Sequence, residues 1–365
     1  MGDYTHQAYR NNAAANGTEP QYTHPQYGNQ AIPTFPDYLH ADGQNGVSAA
    51  DIDLAQIQAN YAADPGNVFL IRPNLAGTNW YKEITRVAPQ LRASIGFDGG
   101  NENSRYYIGL SAQILDGILI SNSQDRYTAR FNSEFDLTPW LSIGENLQFT
   151  YNSILGQTGG GGGAGISDDE SEVLAAYRMP TIIPVFDDFG SYASTRAAGF
   201  NNPRNPVRRL SQDRGDDTAY AVSGFGNVYA LIKPTAGLVF RSSIGGQYFQ
   251  FNSRDYNYIY LGDSEPQASY TFNEGGGYGF SWTFTNTLTY EKLFGKHKFK
   301  ILGGYEAIQG TNTPSAGSRG RSIRGSGINP FSTDLDFVTL SAVQSPVVQS
   351  FINTGVNFSS IFGKL

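Results

Sequence analysis

Eight stretches of this 365-residue chain alternate apolar and polar residues with period two, and the connections between them alternate short and long. In Arg126 to Leu137 one face carries Tyr127, Ala129, Phe131, Phe135 and Leu137, and the other carries Arg126, Thr128, Arg130, Asn132, Glu134 and Asp136. Successive strand side chains point to opposite faces, so this strand has one apolar side and one strongly charged side. Tyr278 to Tyr290 repeats the pattern, with Tyr278, Phe280, Trp282, Phe284, Leu288 and Tyr290 facing one way and Thr283, Thr285, Thr287 and Thr289 the other. Similar strands are expected at 91–98, 105–115, 140–151, 219–232, 236–250 and 297–307, and a ninth begins near 358. Glu145 and Asn286 fall on apolar faces and are the exceptions.

The connections constrain the topology further. In order they are 99–104 (short), 116–125 (longer), 138–139 (short), 152–218 (very long), 233–235 (short), 251–277 (long), 291–296 (short) and 308–357 (very long). Outer-membrane barrels alternate in this way, because periplasmic turns are tight and extracellular loops are elaborated. A soluble sandwich has no physical reason to gather its long loops at one end. Most of the strands also reach or exceed the length of about 9–11 tilted residues that a bilayer requires. Tyr127, Trp140, Tyr151, Tyr278 and Tyr290 at strand ends suit the two aromatic girdles. The fold class expected is all-β, an antiparallel transmembrane β-barrel segment with long extracellular loops, placed in the outer membrane as a multi-pass protein.

Composition agrees with this reading and narrows the chemistry. Glycine accounts for 43 residues, well above the usual share of roughly 7%. Tyr and Phe number 23 each, and charged residues make up only 16%. The formal net charge is −7, and no basic stripe is present for nucleic acid. Without cysteine, disulfides, thiolate metal sites and cysteine nucleophiles are excluded. His6, His24, His40 and His297 are scattered without metal-ligand spacing. No nucleophile has a placed base, so neither an enzyme nor a cofactor is expected. No run of 18 apolar residues exists to form a transmembrane helix, and Met1-Gly2-Asp3-Tyr4 lacks the regions of a signal peptide.

The connecting segments offer local signals. Ser48-Ala49-Ala50-Asp51 resembles a capping box opening a short helix that Asp64-Pro65-Gly66 would stop. The run Gly159 to Gly163 is a flexible tether, since it lacks the Gly-Lys-Ser/Thr ending of a phosphate loop. Ser167-Asp168-Asp169-Glu170 is a second capping box, leading to a helix toward Tyr177 that Pro180 ends. The acidic group Asp168, Asp169, Glu170 and Glu172 reads as a solvated helix start, because its spacing matches no calcium loop. Asp187-Asp188 reads as solvated charge.

Several strings carry a resemblance. Thr78-Asn79-Trp80-Tyr81-Lys82-Glu83-Ile84 leads to Ala88-Pro89-Gln90 and on through Gly99-Gly100-Asn101-Glu102-Asn103-Ser104-Arg105-Tyr106-Tyr107-Ile108. There follow, in order, Arg126 to Asn132, Asp136 to Leu141, Arg178-Met179-Pro180, Thr285 to Tyr290, Gly303 to Ala307 and Phe362 to Leu365. This collinear series is similar to the barrel of SusC/RagA-type TonB-linked outer-membrane transporters. The resemblance implies a 22-stranded barrel filled by an N-terminal plug, of which this chain would supply about eight or nine strands. It divides the chain into a first extracellular loop region with a short helix (1–86) and an incomplete barrel (87–365) with long loops at 152–218, 251–277 and 308–357. Neither the plug nor the TonB-contacting segment is recognisable. The implied function is TonB-dependent import of oligosaccharides or other large nutrients, peptides included, together with a SusD-like surface lipoprotein. The implied lumen and cargo residues are Arg126, Arg130, Asn132, Glu134 and Asp136, with Tyr177 and Tyr192 as exposed loop aromatics able to stack on sugars. A passive porin and a soluble β-rich binding or adhesion module stay open as alternatives.

Overall fold

The computed structural model describes residues 2–40, 46–63, 70–156, 171–193, 197–200, 203–260, 269–311, 315–324, 345–351 and 355–364. Its strands are β1 (Gln90–Asn101), β2 (Ser104–Asp116), β3 (Ser123–Thr138), β4 (Leu141–Leu155), β5 (Thr218–Thr235) and β6 (Leu238–Asn257). There follow β7 (Ser269–Phe294), β8 (His297–Thr311), β9 (Ser315–Arg324), β10 (Ser345–Phe351) and β11 (Gly355–Lys364). Helices α1 (Gly2–Asn16), α2 (Leu54–Ala63), α3 (Trp80–Ile84) and α4 (Glu172–Arg178) precede or interrupt them, and a series of short helical turns runs from Pro206 to Asp216.

Strands β1 to β8 pair antiparallel in chain order, and β11 pairs with β8. Such a meander follows from the short turns, because a two-residue connection can only join antiparallel neighbours. Asn101 shapes the first turn, its side-chain oxygen accepting from the Asn103 amide at 2.8 Å. At the turn after β5 the backbone of Gly237 adopts φ +81°, and a Cβ there would lie 2.1 Å from the Glu291 carbonyl oxygen. Only glycine meets both conditions. Among the described residues the outermost strands β1 and β11 do not pair with each other.

All nine expected strands are present, several of them longer than the alternation alone indicated. The expected loop 251–277 is shortened because β6 and β7 continue past the wall as a paired ribbon, from Phe251↔Gly277 to Asn257↔Thr271. The expected loop 308–357 contains two more strands. β9 and β10 pair with each other, and β9 also pairs with the first part of β7. The remainder of that loop lies outside the described residues.

Among the described residues the sheet carries no buried hydrophobic cluster. The registers put Ile95, Leu110, Ala129, Phe149, Ile244 and Phe284 on one face. Phe149 is 51% exposed there, Ile95 55% and Ile244 52%. An apolar face of this extent is far larger than the patches of a few hundred Å² that soluble monomers expose. Among the described residues no helix is long and apolar enough to cross a membrane.

The buried core lies instead beyond the long-connection end, in a body built from the 1–86 segment and residues 171–217. Tyr27, Leu39, Ile71, Trp80 and Ile84 from the first segment pack against Met179, Ile182, Ile183, Ala193, Val207 and Leu210 from the second. Backbone and side-chain bonds hold the two together. Trp80 Nε1 donates to the Pro180 carbonyl at 3.1 Å, and Thr78 Oγ1 to the Ile183 carbonyl at 2.7 Å. The turn between β2 and β3 joins them, with the Ile120 amide donating to the Ile84 carbonyl at 3.0 Å.

Helix boundaries refine the local expectations. Ser48 does cap, accepting from the Ala50 amide, but it opens a single 3-10 turn (Ala49–Asp51), after which α2 begins. Asp64-Pro65-Gly66, the glycine run and the Ser167 capping box lie outside the described residues. The described N-cap of α4 is Ser171, whose hydroxyl accepts from the Leu174 amide at 3.4 Å, and the helix ends before Pro180 as expected.

Candidate functional site

Period-two alternation places Arg126, Arg130, Asn132, Glu134 and Asp136 on the polar face of β3, and each acquires a different environment from its cross-strand neighbours. Glu134 lies opposite Arg105 on β2 and forms an ion pair with it at 2.5 Å. Tyr229 of β5 donates its hydroxyl to the same carboxylate at 2.7 Å. The Arg241 guanidinium sits over the Tyr229 ring, 4.4 Å from its centroid, a favourable cation–π placement. Four strands, β2, β3, β5 and β6, are thus tied together across the polar face near the short turns. Asp136 accepts from the Ser142 hydroxyl at a register shift between β3 and β4.

Farther toward the long connections the partners become neutral. Arg130 donates to Gln148 Oε1 from Nη2 at 2.7 Å and from Nε at 3.3 Å. Asn132 faces Tyr107 on one side and Asn146 on the other, and Asn146 donates to Asn227 at 3.1 Å. Arg126 is exposed and makes no hydrogen bond or ion pair among the described residues.

Tyr177 and Tyr192 belong to the loop body and do not join this set. Tyr177 on α4 is 71% exposed and pairs with Tyr81 of α3 at 6.0 Å between ring centroids. Tyr192, expected to be exposed, is half-buried. It packs against Phe186 at 5.0 Å and against the core of the loop body, because the chain folds back there in a short bridge between the two residues.

Sequence reasoning missed the ionic cluster at the base of the loop body. Glu172, expected at a solvated helix start, is 3% exposed and lies 3.5 Å from Arg209 and 3.6 Å from Arg214. Arg208 pairs with Asp213 at 2.7 Å and lies 4.4 Å from the Tyr260 ring centroid. Asp217, fully buried, accepts from the Tyr256 amide at 2.8 Å and pairs with Arg214 at 3.0 Å. Burial is the largest influence on that carboxyl and pushes it up to about 7. The Tyr256 amide opposes the rise, Asp255 adds to it, and Arg214 opposes it. The cluster anchors the loop body to the start of β5 and the end of β6. The density of alternating charges over 208–217 was the available signal, but nothing in it specified burial. Nor is Asp187-Asp188 plain solvated charge. Asp187 accepts from the amides of Phe189 and Ser191, both at 2.9 Å, and Asp188 pairs with Arg72 at 2.9 Å.

Among the described residues no group of three or more His, Cys, Asp or Glu is arranged to hold a metal ion.

No family model matches the chain. It is 29% identical to TonB-dependent receptor P3 of Formosa agariphila over 246 residues, which are 63% of this chain and 22% of that protein. A second TonB-dependent receptor of the same organism is 22% identical over 282 residues, 75% of this chain and 26% of that protein. The chain therefore spans about a fifth to a quarter of the curated relatives it matches. By fold it is similar to the RagAB peptide importer in its closed-closed state, with TM-score 0.59, 20% identity, and coverage of 86% of this chain and 34% of that one. Against the open-open state the TM-score is 0.57 at 19% identity, covering 88% and 34%. Sequence relatives, fold and the collinear strings agree: the chain is similar to TonB-dependent receptors in sequence and to part of the barrel of the RagAB structures in fold.

Proposed function

We propose that this chain forms part of the wall and external loops of an energised outer-membrane importer. The observation that carries the reading is the two-faced sheet: an exposed apolar face suited to lipid, and a hydrogen-bonded polar face suited to a hydrated path. In this reading Arg126, Arg130, Asn132, Glu134 and Asp136 line the lumen. The body made by residues 1–86 and 171–217 is extracellular, and the turns 139–140 and 236–237 are periplasmic. Tyr177, exposed beside Tyr81, is a cargo contact, and Tyr192 supports the body beneath it. TonB supplies energy, and a SusD-like surface lipoprotein works with the loops. The cargo is an oligosaccharide or peptide too large for simple diffusion.

The test is uptake by cells carrying the full-length protein, with and without a functional tonB gene. Uptake of a fluorescent oligosaccharide or peptide library should fall to background when tonB is deleted. Undiminished uptake without TonB would instead make the protein a passive porin.

A further inference from the structure

The polar face changes character along its height. Near the short turns its charges are of both signs: Arg105 pairs with Glu134, and the exposed Asp98 stands opposite Tyr107, one row below Arg130, without an ion pair among the described residues. From Arg130 toward the long connections, the described polar face of β1 to β4 carries Arg92, Arg126 and Arg130 and no carboxylate. Two of these arginines are held by amides. Gln113, with its amide oriented to satisfy both contacts, accepts from Arg92 Nη2 at 3.2 Å and Nε at 3.1 Å. Gln148 holds Arg130 in the same manner. An amide oxygen fixes the direction of a guanidinium but does not cancel its charge, and several of the five N–H donors stay available. Such a group is prepared for bidentate contact with an oxyanion.

The spacing suits an extended ligand. Arg92 and Arg126 share one row of the sheet through Gln113, two strand spacings or about 10 Å apart. Arg130 lies four residues farther along β3, about 13 Å from Arg126. Beside Arg130 the wall is bare, since its row continues through Gly109 and Gly96. The Tyr107 ring lies across that bare stretch. A Cβ at Gly109 would come within 2.9 Å of Tyr107 Cε1, and one at Gly96 within 3.2 Å of Cε2. The ring is nonetheless 40% exposed. Glycines at both positions thus let an aromatic ring lie against the wall between the arginines and the Asn132–Asn146 pair.

We propose that this region is a subsite for an anionic oligosaccharide. Arg92, Arg126 and Arg130 take its carboxylate or sulfate groups, Gln113 and Gln148 its hydroxyls, and the Tyr107 ring one face of a sugar. The proposal rests on the importer reading, in which the polar face lines the path, and it names the class of cargo. The exposed ring and the amides between the cations favour a hydroxyl-rich ring over an acidic peptide.

The experiment uses the full-length transporter in detergent, with calorimetric titration of tetragalacturonate, sulfated maltotetraose, neutral maltotetraose and tetraglutamate. At least one anionic sugar should bind more tightly than the neutral one, and its affinity should fall as salt rises. The Arg126→Gln/Arg130→Gln double variant should bind that sugar at least about tenfold more weakly, with maltotetraose unchanged. Tyr107→Ala should weaken both kinds of sugar. Heat-modifiable gel mobility establishes that each variant retains its barrel. Equal binding of charged and neutral sugars, an unaffected double variant, or tetraglutamate binding as tightly as the sugars would each overturn the subsite. If that happens while uptake still depends on TonB, the subsite alone fails and the importer stands.

Discussion

Replacing Phe284 by arginine is expected to destabilise the assembled barrel by about 2–4 kcal/mol, whereas Thr283→Arg at the adjacent position is expected to cost much less. Phe284 lies midway between Tyr278 and Tyr290, which places it near the centre of the apolar band. Its register partners on that face are Ile244 on β6 and Ala307 on β8, so no polar side chain directly opposite is available to a buried guanidinium. Thr283 points to the other, polar face, between Gly245 and Ile308, and Gly245 leaves room there for a long charged side chain. The measurement is urea unfolding of the full-length protein reconstituted in lipid, followed by loss of the heat-modifiable band. Equal losses for the two variants would mean that the two faces see the same environment.

Glu172→Ala is expected to loosen the loop body while leaving the wall intact. Glu172 is the acid shared by Arg209 and Arg214, and its removal leaves buried positive charge without that partner. Breaking one side of a buried ion pair costs about 3–5 kcal/mol. Because the hydrophobic core of the loop body is separate from the sheet, the loss should appear as local opening. Amide hydrogen exchange over 171–217 should accelerate by two orders of magnitude or more, as about 3 kcal/mol implies. Exchange in β2 to β4 should stay unchanged. Adding Arg209→Met should restore part of the protection, since an apolar replacement of similar volume removes the uncompensated charge. Unchanged exchange over 171–217 in Glu172→Ala would show that the cluster does not hold the body together.

The wall was legible in the sequence because its signal is local. Alternation over ten or more residues, as in 126–137 and 278–290, fixes both the strand and the facing of each residue, independent of its neighbours. The candidate residues of β3 were therefore assigned to one face correctly, but their partners were not. Whether Glu134 meets Arg105 and Tyr229, or Arg130 meets Gln148, depends on register, which pairing across strands decides. The loop body was not legible for a different reason. Its core joins Trp80, Ile183 and Leu210, residues about 100 and 130 positions apart, and no periodicity links them. Glu172 illustrates the consequence. A helix-start acid is ordinarily solvated, and the approach of Arg209 and Arg214, about 40 positions later in the chain, makes its burial tolerable. Tyr192 is the same kind of case, a loop aromatic that becomes packing once its loop closes on Phe186. Helix α1 carried no recognised signal at all.

A sheet that separates lipid from a hydrated path exposes its two faces to different reagents. This chain contributes no cysteine of its own, so single cysteines placed in it, with any cysteine elsewhere in the full-length protein replaced, report on the two faces. Thr283→Cys and Phe284→Cys would be introduced singly into the full-length protein in intact outer membranes. Each would be exposed to a charged, water-soluble thiol reagent and to a lipid-soluble maleimide. Thr283→Cys should react with the charged reagent and Phe284→Cys only with the lipid-soluble one. If both positions respond alike to both reagents, the assignment of faces is wrong and the barrel-wall account fails with it.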